Sequence, residues 1–426
     1  MRELKIAMIG AGSTYSPELI HGFITREGKM KVREFALMDI HMERLEIVGG
    51  LIKRMCGNFE EKPLITMTDS IEEAITGADY VVTQFRVGLL PARAKDEAIP
   101  LRHGIIGQET TGPGGFAKAL RTIPEMLKIA HCIEKVAPGA TLINFTNPSG
   151  IITEAISKYS GVKVIGLCNT PITTYKRINS VMGLKEEEVF YDYFGLNHLG
   201  FIKGIYVNGR DMTDELFPQI MNHPKLSEML GYEFNKKQAL AMRILPVAYL
   251  QYYYHQKELT NKLLKQEKTR GELLIDIDRE LLVQYSDPQL KMKPPGLDQR
   301  GGAWYSEAAV SLMNSLENSD GEIHVVNVQN KGTIVDLDPE AVIEIPARID
   351  GSNIKTFHFG KLPMAVKGLV EHVKAYESLT VDAAAKGSKD LALLALINHP
   401  FVTSADEAES MLEEIIAAHP DYIHLK

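Results

Sequence analysis

The chain has 426 residues, 45% of them hydrophobic and 24% charged, with a formal net charge of −8. That length exceeds what one hydrophobic core ordinarily serves, so two domains or one elaborated α/β domain are expected. The negative balance supplies no basic field to attract nucleic acid or an anionic membrane surface, so any phosphate site must be local.

The opening Met1-Arg2-Glu3-Leu4-Lys5 places charges where a secretion signal would begin its apolar core, and the apolar run that follows stops at Gly10. Residues 4–9 predict a strand, Gly10-Ala11-Gly12-Ser13 a tight turn, and residues 16–24 a helix. The pattern repeats with a strand at 35–38 ending at Asp39, a helix over 42–55 and a strand at 80–85. Residues 86–115 read as a long glycine-rich loop; a helix over 116–136, a strand at 141–145, a helix after Pro148 and a strand at 163–167 follow. Strands and helices alternating at this spacing imply a Rossmann-type, doubly wound parallel sheet. Past Phe190 the rhythm changes to a strand at 201–207, a long helical region over 237–285, loops at Pro294-Pro295-Gly296 and Gly301-Gly302, a β-rich stretch over 322–348 and terminal helices. The expected division is a nucleotide-binding domain over 1–196 and an α+β domain over 197–426 that carries substrate, metal and oligomer contacts. No stretch approaches the roughly 20 apolar residues of a membrane-spanning helix, which predicts a soluble protein with no membrane partner.

The first turn follows a strand and opens a helix, so its amides and the helix N-terminus can hold the pyrophosphate of a dinucleotide. Asp39 ends the second strand where a carboxylate would bind ribose hydroxyls and favour NAD over NADP. Tyr15 stands where the usual fingerprint has a third glycine, and a purely structural turn would share the other two. Within 86–115, Arg86 and Arg93 are candidates for an anionic substrate, since guanidinium matches phosphate, although surface arginines are more often simply solvated. Asn144-Phe145-Thr146-Asn147-Pro148 and Cys168-Asn169-Thr170-Pro171 end neighbouring strands at the edge where such sheets bind ligands.

Cys168 taken alone reads as a small buried hydrophobe, and His198 in Gly195-Leu196-Asn197-His198 as a hydrogen-bonded loop histidine. Together a thiolate and an imidazole can bind a soft or borderline divalent cation, with substrate oxygens completing the shell. The chain's cysteines, Cys56, Cys132 and Cys168, are odd in number and far apart, which argues against a disulfide framework and for the cytoplasm. Tyr249-Leu250-Gln251-Tyr252-Tyr253-Tyr254 reads first as an aromatic core face, and nothing local selects one tyrosine as a base.

These motifs together resemble the NAD- and metal-dependent glycoside hydrolases of family 4, distant relatives of lactate and malate dehydrogenases, over nearly the whole chain. The resemblance implies Mn²⁺ on Cys168 and His198, Tyr249 as the base, Glu109 of Gly107-Gln108-Glu109-Thr110 in its support, and NAD on Gly10, Gly12, Ser13 and Asp39. It implies substrate contacts at Arg93, Asn147, Asn169 and Arg270. Asn169 followed by Pro171 fits the β-selective phosphoglucosidase subgroup, and it leaves the acid of the subgroup with aspartate at that position without a counterpart. The implied activity is hydrolysis of 6-phospho-β-glucosides to glucose 6-phosphate and an aglycone, by transient oxidation at carbon 3 of the sugar, elimination and water addition. A homodimer or homotetramer is implied as well. The rival expectation is an NAD-dependent 2-hydroxy-acid dehydrogenase, which would pair a catalytic histidine with an aspartate and consume NAD in proportion to product.

Overall fold

The computed structural model describes residues 2–300 and 304–426; Met1 and Gly301-Gly302 lie outside the described residues. Six short strands form the nucleotide-binding half: β1 (Glu3–Ile9), β2 (Lys31–Met38), β3 (Leu64–Thr68), β4 (Tyr80–Thr83), β5 (Thr141–Asn144) and β6 (Lys163–Gly166). They lie in the order β3-β2-β1-β4-β5-β6, all parallel. Every residue of β4 and β5 is buried, and β1 from Leu4 onward is buried too. That burial explains why these strands read as continuous apolar runs: helices cover both faces of the sheet. Between β1 and β4 the strand order reverses, and the diverging connections open the crevice in which such sheets take ligands.

The rest of the chain contributes β7 (Val189–Leu196), β8 (Leu199–Val207), β9 (Arg210–Asp211), β10 (Leu245–Pro246), β11 (Ile323–Gln329), β12 (Val342–Asp350) and β13 (Asn353–Thr356). β7 and β8 form a hairpin within a separate antiparallel sheet that also holds β9 and β10. β11, β12 and β13 instead extend the first sheet beyond β6 in antiparallel sense, giving nine strands. The position 196/197 falls at the tip of the β7–β8 hairpin. Helix Met364–Lys386 returns to pack on helices Pro113–Val136 and Ser149–Tyr159, so the C-terminal residues close one face of the nucleotide-binding half. Among the described residues no helix is long and apolar enough to cross a membrane.

Two sequence expectations need correction. The loop expected over 86–115 contains a helix, Leu89–Arg102. Its inward positions mix Ala92, Ile99 and Pro100 with Asp96 and Glu97, which pair with Arg121 and Arg93, so no continuous apolar stripe announces it. The helical region expected over 237–285 is broken into helices Lys236–Met242, Gln251–Tyr254, Gln256–Leu263 and Arg270–Tyr285, with β10 and a 3₁₀ turn, Ala248–Leu250, between the first two. Pro246 interrupts the first part, and Thr269 starts the last helix with a capping box to Glu272. The β3 and β7 strands also went unpredicted.

Candidate active site

The nucleotide turn is made of backbone. Gly10 takes φ +86°, a left-handed conformation that favours glycine, and its N–H and that of Ala11 both donate to Met38 O at 2.9 Å. Gly12 N–H donates to Asp39 Oδ2 at 2.9 Å, and His41 N–H donates to Asp39 Oδ1 at 2.9 Å. Asp39 therefore ties the first turn to the second strand, and a β-carbon on Gly12 would stand 2.8 Å from its carboxylate oxygen. Ser13 Oγ accepts from Tyr15 N–H at 3.2 Å. Helix Arg270–Tyr285 braces the turn from outside: Tyr285 OH donates to Thr14 O at 2.7 Å, and Asp278 accepts from Thr14 Oγ1 at 2.7 Å while pairing with Arg44.

At the same edge of the sheet lies a partly buried charge cluster. Glu109 pairs with Arg86, with Arg93 at 2.8 Å and with Lys118 at 3.1 Å, while Arg93 also holds Glu97 at 2.8 Å. Three cations thus face two carboxylates, and Arg86 Nη1 is buried with no hydrogen-bond partner among the described residues. Such a surplus of guanidinium donors suits a phosphate. Burial opposes ionisation of Glu109, but Arg86, Lys118 and Arg93 outweigh it and hold the carboxyl well below its ordinary range. Burial, then Arg86, pushes the Lys118 ammonium down to about 7 against the pull of Glu109. Gly271 N–H donates to Glu97 Oε2 at 2.7 Å, which brings the start of helix Arg270–Tyr285, and the exposed Arg270 with it, to the helix that carries Arg93.

Cys168, His198 and Tyr249 meet, although they come from the end of β6, the tip of the β7–β8 hairpin and a 3₁₀ turn. The His198 and Tyr249 rings are stacked, 3.7 Å between centroids and 1° from parallel, and the charges of Cys168 and Tyr249 are close enough to interact. His198 takes φ +65°, which is strained for a histidine, and its Nδ1 is buried with no hydrogen-bond partner among the described residues. Cys168 Sγ contacts Thr170 Oγ1 at 3.2 Å and accepts from Thr170 N–H at 3.4 Å. Burial, with Glu344 adding to it, pushes the Cys168 thiol up to about 12, and burial pushes the His198 imidazolium down to about 3. Burial also raises Tyr249 above the ordinary phenol value, with Cys168, Tyr252 and Glu109 adding and a hydrogen bond from Thr110 opposing. A divalent cation opposes burial at the thiol and the phenol, favouring thiolate and phenolate, and adds to it at the imidazole, favouring the neutral ring that can ligate. Among the described residues no three His, Cys, Asp or Glu gather as a complete metal shell, so a thiol and an orphaned imidazole nitrogen are the donors on offer. Both are ordinary ligands of a borderline ion whose shell a substrate completes.

The sequence-predicted residues divide accordingly. Gly10, Gly12, Ser13 and Asp39 form one turn; Cys168, His198 and Tyr249 form one cluster; Arg93 and Glu109 are ion-paired beside it. Asn147 begins a cis peptide bond to Pro148, and Asn169 caps helix Thr170–Met182, so both flank the cluster at the ends of β5 and β6. Lys118, Glu97, Thr110, Asn197 and Glu344 were not foreseen. Thr110 and Asn197 lay within motifs singled out beforehand, without a role of their own; the others carry no local signal.

A doubly wound sheet in the order 3-2-1-4-5-6, with a glycine turn at the switch point, defines a Rossmann-type α/β fold. The malate dehydrogenase of Plasmodium falciparum shares that fold at TM-score 0.57 and 14% identity, over 90% of this chain and 99% of that one. The model of the family 4 glycosyl hydrolases matches residues 5–184, and that of their C-terminal domain matches residues 193–402. The chain belongs to glycosyl hydrolase family 4. It is 40% identical to a probable 6-phospho-beta-glucosidase of Bacillus subtilis (strain 168), over 99% of this chain and 97% of that protein. It also matches the structure of the 6-phospho-beta glucosidase from Thermotoga maritima with manganese, NAD⁺ and glucose-6-phosphate, at TM-score 0.92 and 37% identity over 100% of both chains.

Proposed function

We propose that this protein is a 6-phospho-β-glucosidase that uses NAD⁺ and Mn²⁺ to release glucose 6-phosphate and an aglycone from phosphorylated β-glucosides. The observation that carries the reading is the stack of Tyr249 on His198 beside Cys168, a phenol held against a thiol and imidazole pair. When bound, NAD⁺ supplies reversible oxidation at carbon 3 of the sugar and Mn²⁺ supplies polarisation of the resulting carbonyl, which together acidify the hydrogen on carbon 2.

Cys168 and His198 hold the metal. Gly10, Gly12, Ser13 and Asp39 hold the cofactor's pyrophosphate and adenosine ribose. Tyr249 removes the carbon 2 proton, and Glu109, kept ionised by its three cations, supports that base and fixes Arg93 beside it. Arg93, Asn147, Asn169 and Arg270 bind the phosphorylated sugar. His198 is buried and Tyr249 half-buried, which limits the access of water to the stack. The same reading puts the enzyme in the cytoplasm, where Cys168 stays reduced, as a homodimer or homotetramer; light scattering of the eluted protein counts the subunits.

The test is incubation with NAD⁺, Mn²⁺ and a chromogenic 6-phospho-β-glucoside while following both aglycone release and the absorbance of reduced nicotinamide. The expected result is steady aglycone release that stops on chelation, returns with Mn²⁺, requires NAD⁺ and accumulates no reduced cofactor. Reduced cofactor formed in proportion to product would favour the dehydrogenase instead. Turnover undiminished after complete removal of nucleotide would overturn the reading.

A further inference from the structure

The tip of the β7–β8 hairpin consists of Asn197 and His198, and its fixation is not local. Leu196 and Leu199 are paired across the hairpin, so two residues alone make the turn, and the second is held at φ +65°. A histidine in that conformation persists only when its surroundings over-determine it. The surroundings are supplied through Asn197. Its Nδ2 donates to Glu344 Oε1 at 2.9 Å, its Oδ1 accepts from Gly150 N–H at 3.4 Å, and its side chain also hydrogen-bonds Cys168. One amide therefore ties the turn that carries His198 to the turn after β5 and to the cysteine at the end of β6.

Glu344 in turn fixes Asn197. It lies on β12, is buried, and accepts three neutral donors: Tyr193 OH at 2.5 Å, Asn197 Nδ2 at 2.9 Å and Asn327 Nδ2 at 3.0 Å. Tyr193 is on β7, and Asn327 is on β11 opposite Gly166 of β6. The carboxylate thus joins β12 to β7 and β11, and Tyr193 lies on the strand that leads to His198 while Asn327 lies on the strand paired with the one that leads to Cys168. A buried carboxylate surrounded by neutral donors is costly, and removing any partner leaves unsatisfied groups behind, so the geometry has few alternatives.

We propose that Glu344 is a positioning residue for the metal pair, acting through Asn197 to set the separation and orientation of Cys168 and His198. This rests on the assignment of those two residues as the metal ligands. Outer partners that orient a ligand are worth about 10- to 100-fold in metal affinity.

The experiment measures Mn²⁺ binding to the purified full chain by the electron paramagnetic resonance of free Mn²⁺, for wild type, Glu344→Gln and Tyr193→Phe, with NAD⁺ affinity measured in parallel. Glutamine keeps the size of Glu344 but replaces one acceptor oxygen by a donor that faces other donors. Expected are roughly 10- to 100-fold weaker Mn²⁺ binding in Glu344→Gln and unchanged NAD⁺ affinity. With cobalt in place of manganese, the thiolate-to-metal absorption band of Cys168 should shift in the same variant, which a loss of general stability would not produce. Tyr193→Phe removes one donor, leaves the carboxylate in place and should weaken Mn²⁺ roughly 2- to 10-fold, so it decides the matter if Glu344→Gln does not fold. Folded variants that bind Mn²⁺ within twofold of wild type and keep the cobalt band overturn the role of Glu344 alone. A wild-type protein that binds no Mn²⁺, or a Cys168→Ser variant that binds it unchanged, overturns the ligand assignment beneath it.

Discussion

The nucleotide turn after β1 is almost entirely backbone, whereas the cluster of Cys168, His198 and Tyr249 is made of side chains from three separate segments. Both lie at the same edge of the molecule. The turn needs one strand, two glycines and a carboxylate at the end of the neighbouring strand; the bonds of Gly10, Ala11 and Gly12 reach only Met38 and Asp39, and helix Arg270–Tyr285 braces it through Thr14. The cluster needs a sheet, a hairpin and a 3₁₀ turn to arrive together, and its supporting carboxylate sits 147 residues from the asparagine it holds. Backbone sites tolerate side-chain change except where a β-carbon would intrude; side-chain sites fail when any one member is removed. Mutation should expose that difference.

The largest effect is expected at Tyr249. Tyr249→Phe removes one hydroxyl and keeps the ring stacked on His198, so NAD⁺ and Mn²⁺ affinities should be retained while kcat falls roughly 10²- to 10⁴-fold. A variant with normal turnover would move the base elsewhere, to Tyr252 or Tyr253 first. Gly12→Val tests the other region. Its β-carbon would press on the Asp39 carboxylate, 2.8 Å away, and strain of about 1–3 kcal/mol corresponds to roughly 10- to 100-fold weaker NAD⁺ binding by titration. Mn²⁺ binding should be untouched; if both ligands weaken together, the two regions are less separate than their hydrogen bonds indicate.

Arg93→Lys keeps a positive charge but loses the guanidinium fork shared with Glu97 and Glu109. It should raise KM for the phosphorylated glucoside about tenfold and leave the unphosphorylated analogue little changed. Equal effects on both substrates would make Arg93 structural.

The smallest effect is a pH dependence of stability. Arg86, Lys118 and Arg93 outweigh burial and hold the Glu109 carboxyl below its ordinary value of 4.5. Its contribution is therefore fully present above that value and lost as the pH falls through the depressed folded value. Thermal unfolding below pH 4.5 should show the wild type losing Tm more steeply than Glu109→Gln, which has no such carboxyl; parallel curves would remove Glu109 from the balance.

The sequence by itself determined the doubly wound sheet and the nucleotide turn, because each leaves a short local signature, and it nominated the metal, base and substrate residues only through the motifs' resemblance to a family. Apolar runs ending at glycine, Asp39 one residue past a buried strand, and Cys168 and His198 at strand ends are all visible within a few residues. Helix Leu89–Arg102 escaped because ion pairs interrupt its buried face, Asp96 against Arg121 and Glu97 against Arg93, and buried charges break the hydrophobic period. Only the tertiary structure decided which of four neighbouring tyrosines stacks on His198: the chain breaks at Pro246 and turns through Ala248–Leu250, so Tyr249 is not displayed on a continuous helix face. It alone placed Lys118 against Glu109, and Glu344 against Asn197, since a buried polar group is identified by its partners rather than by its neighbours in the chain.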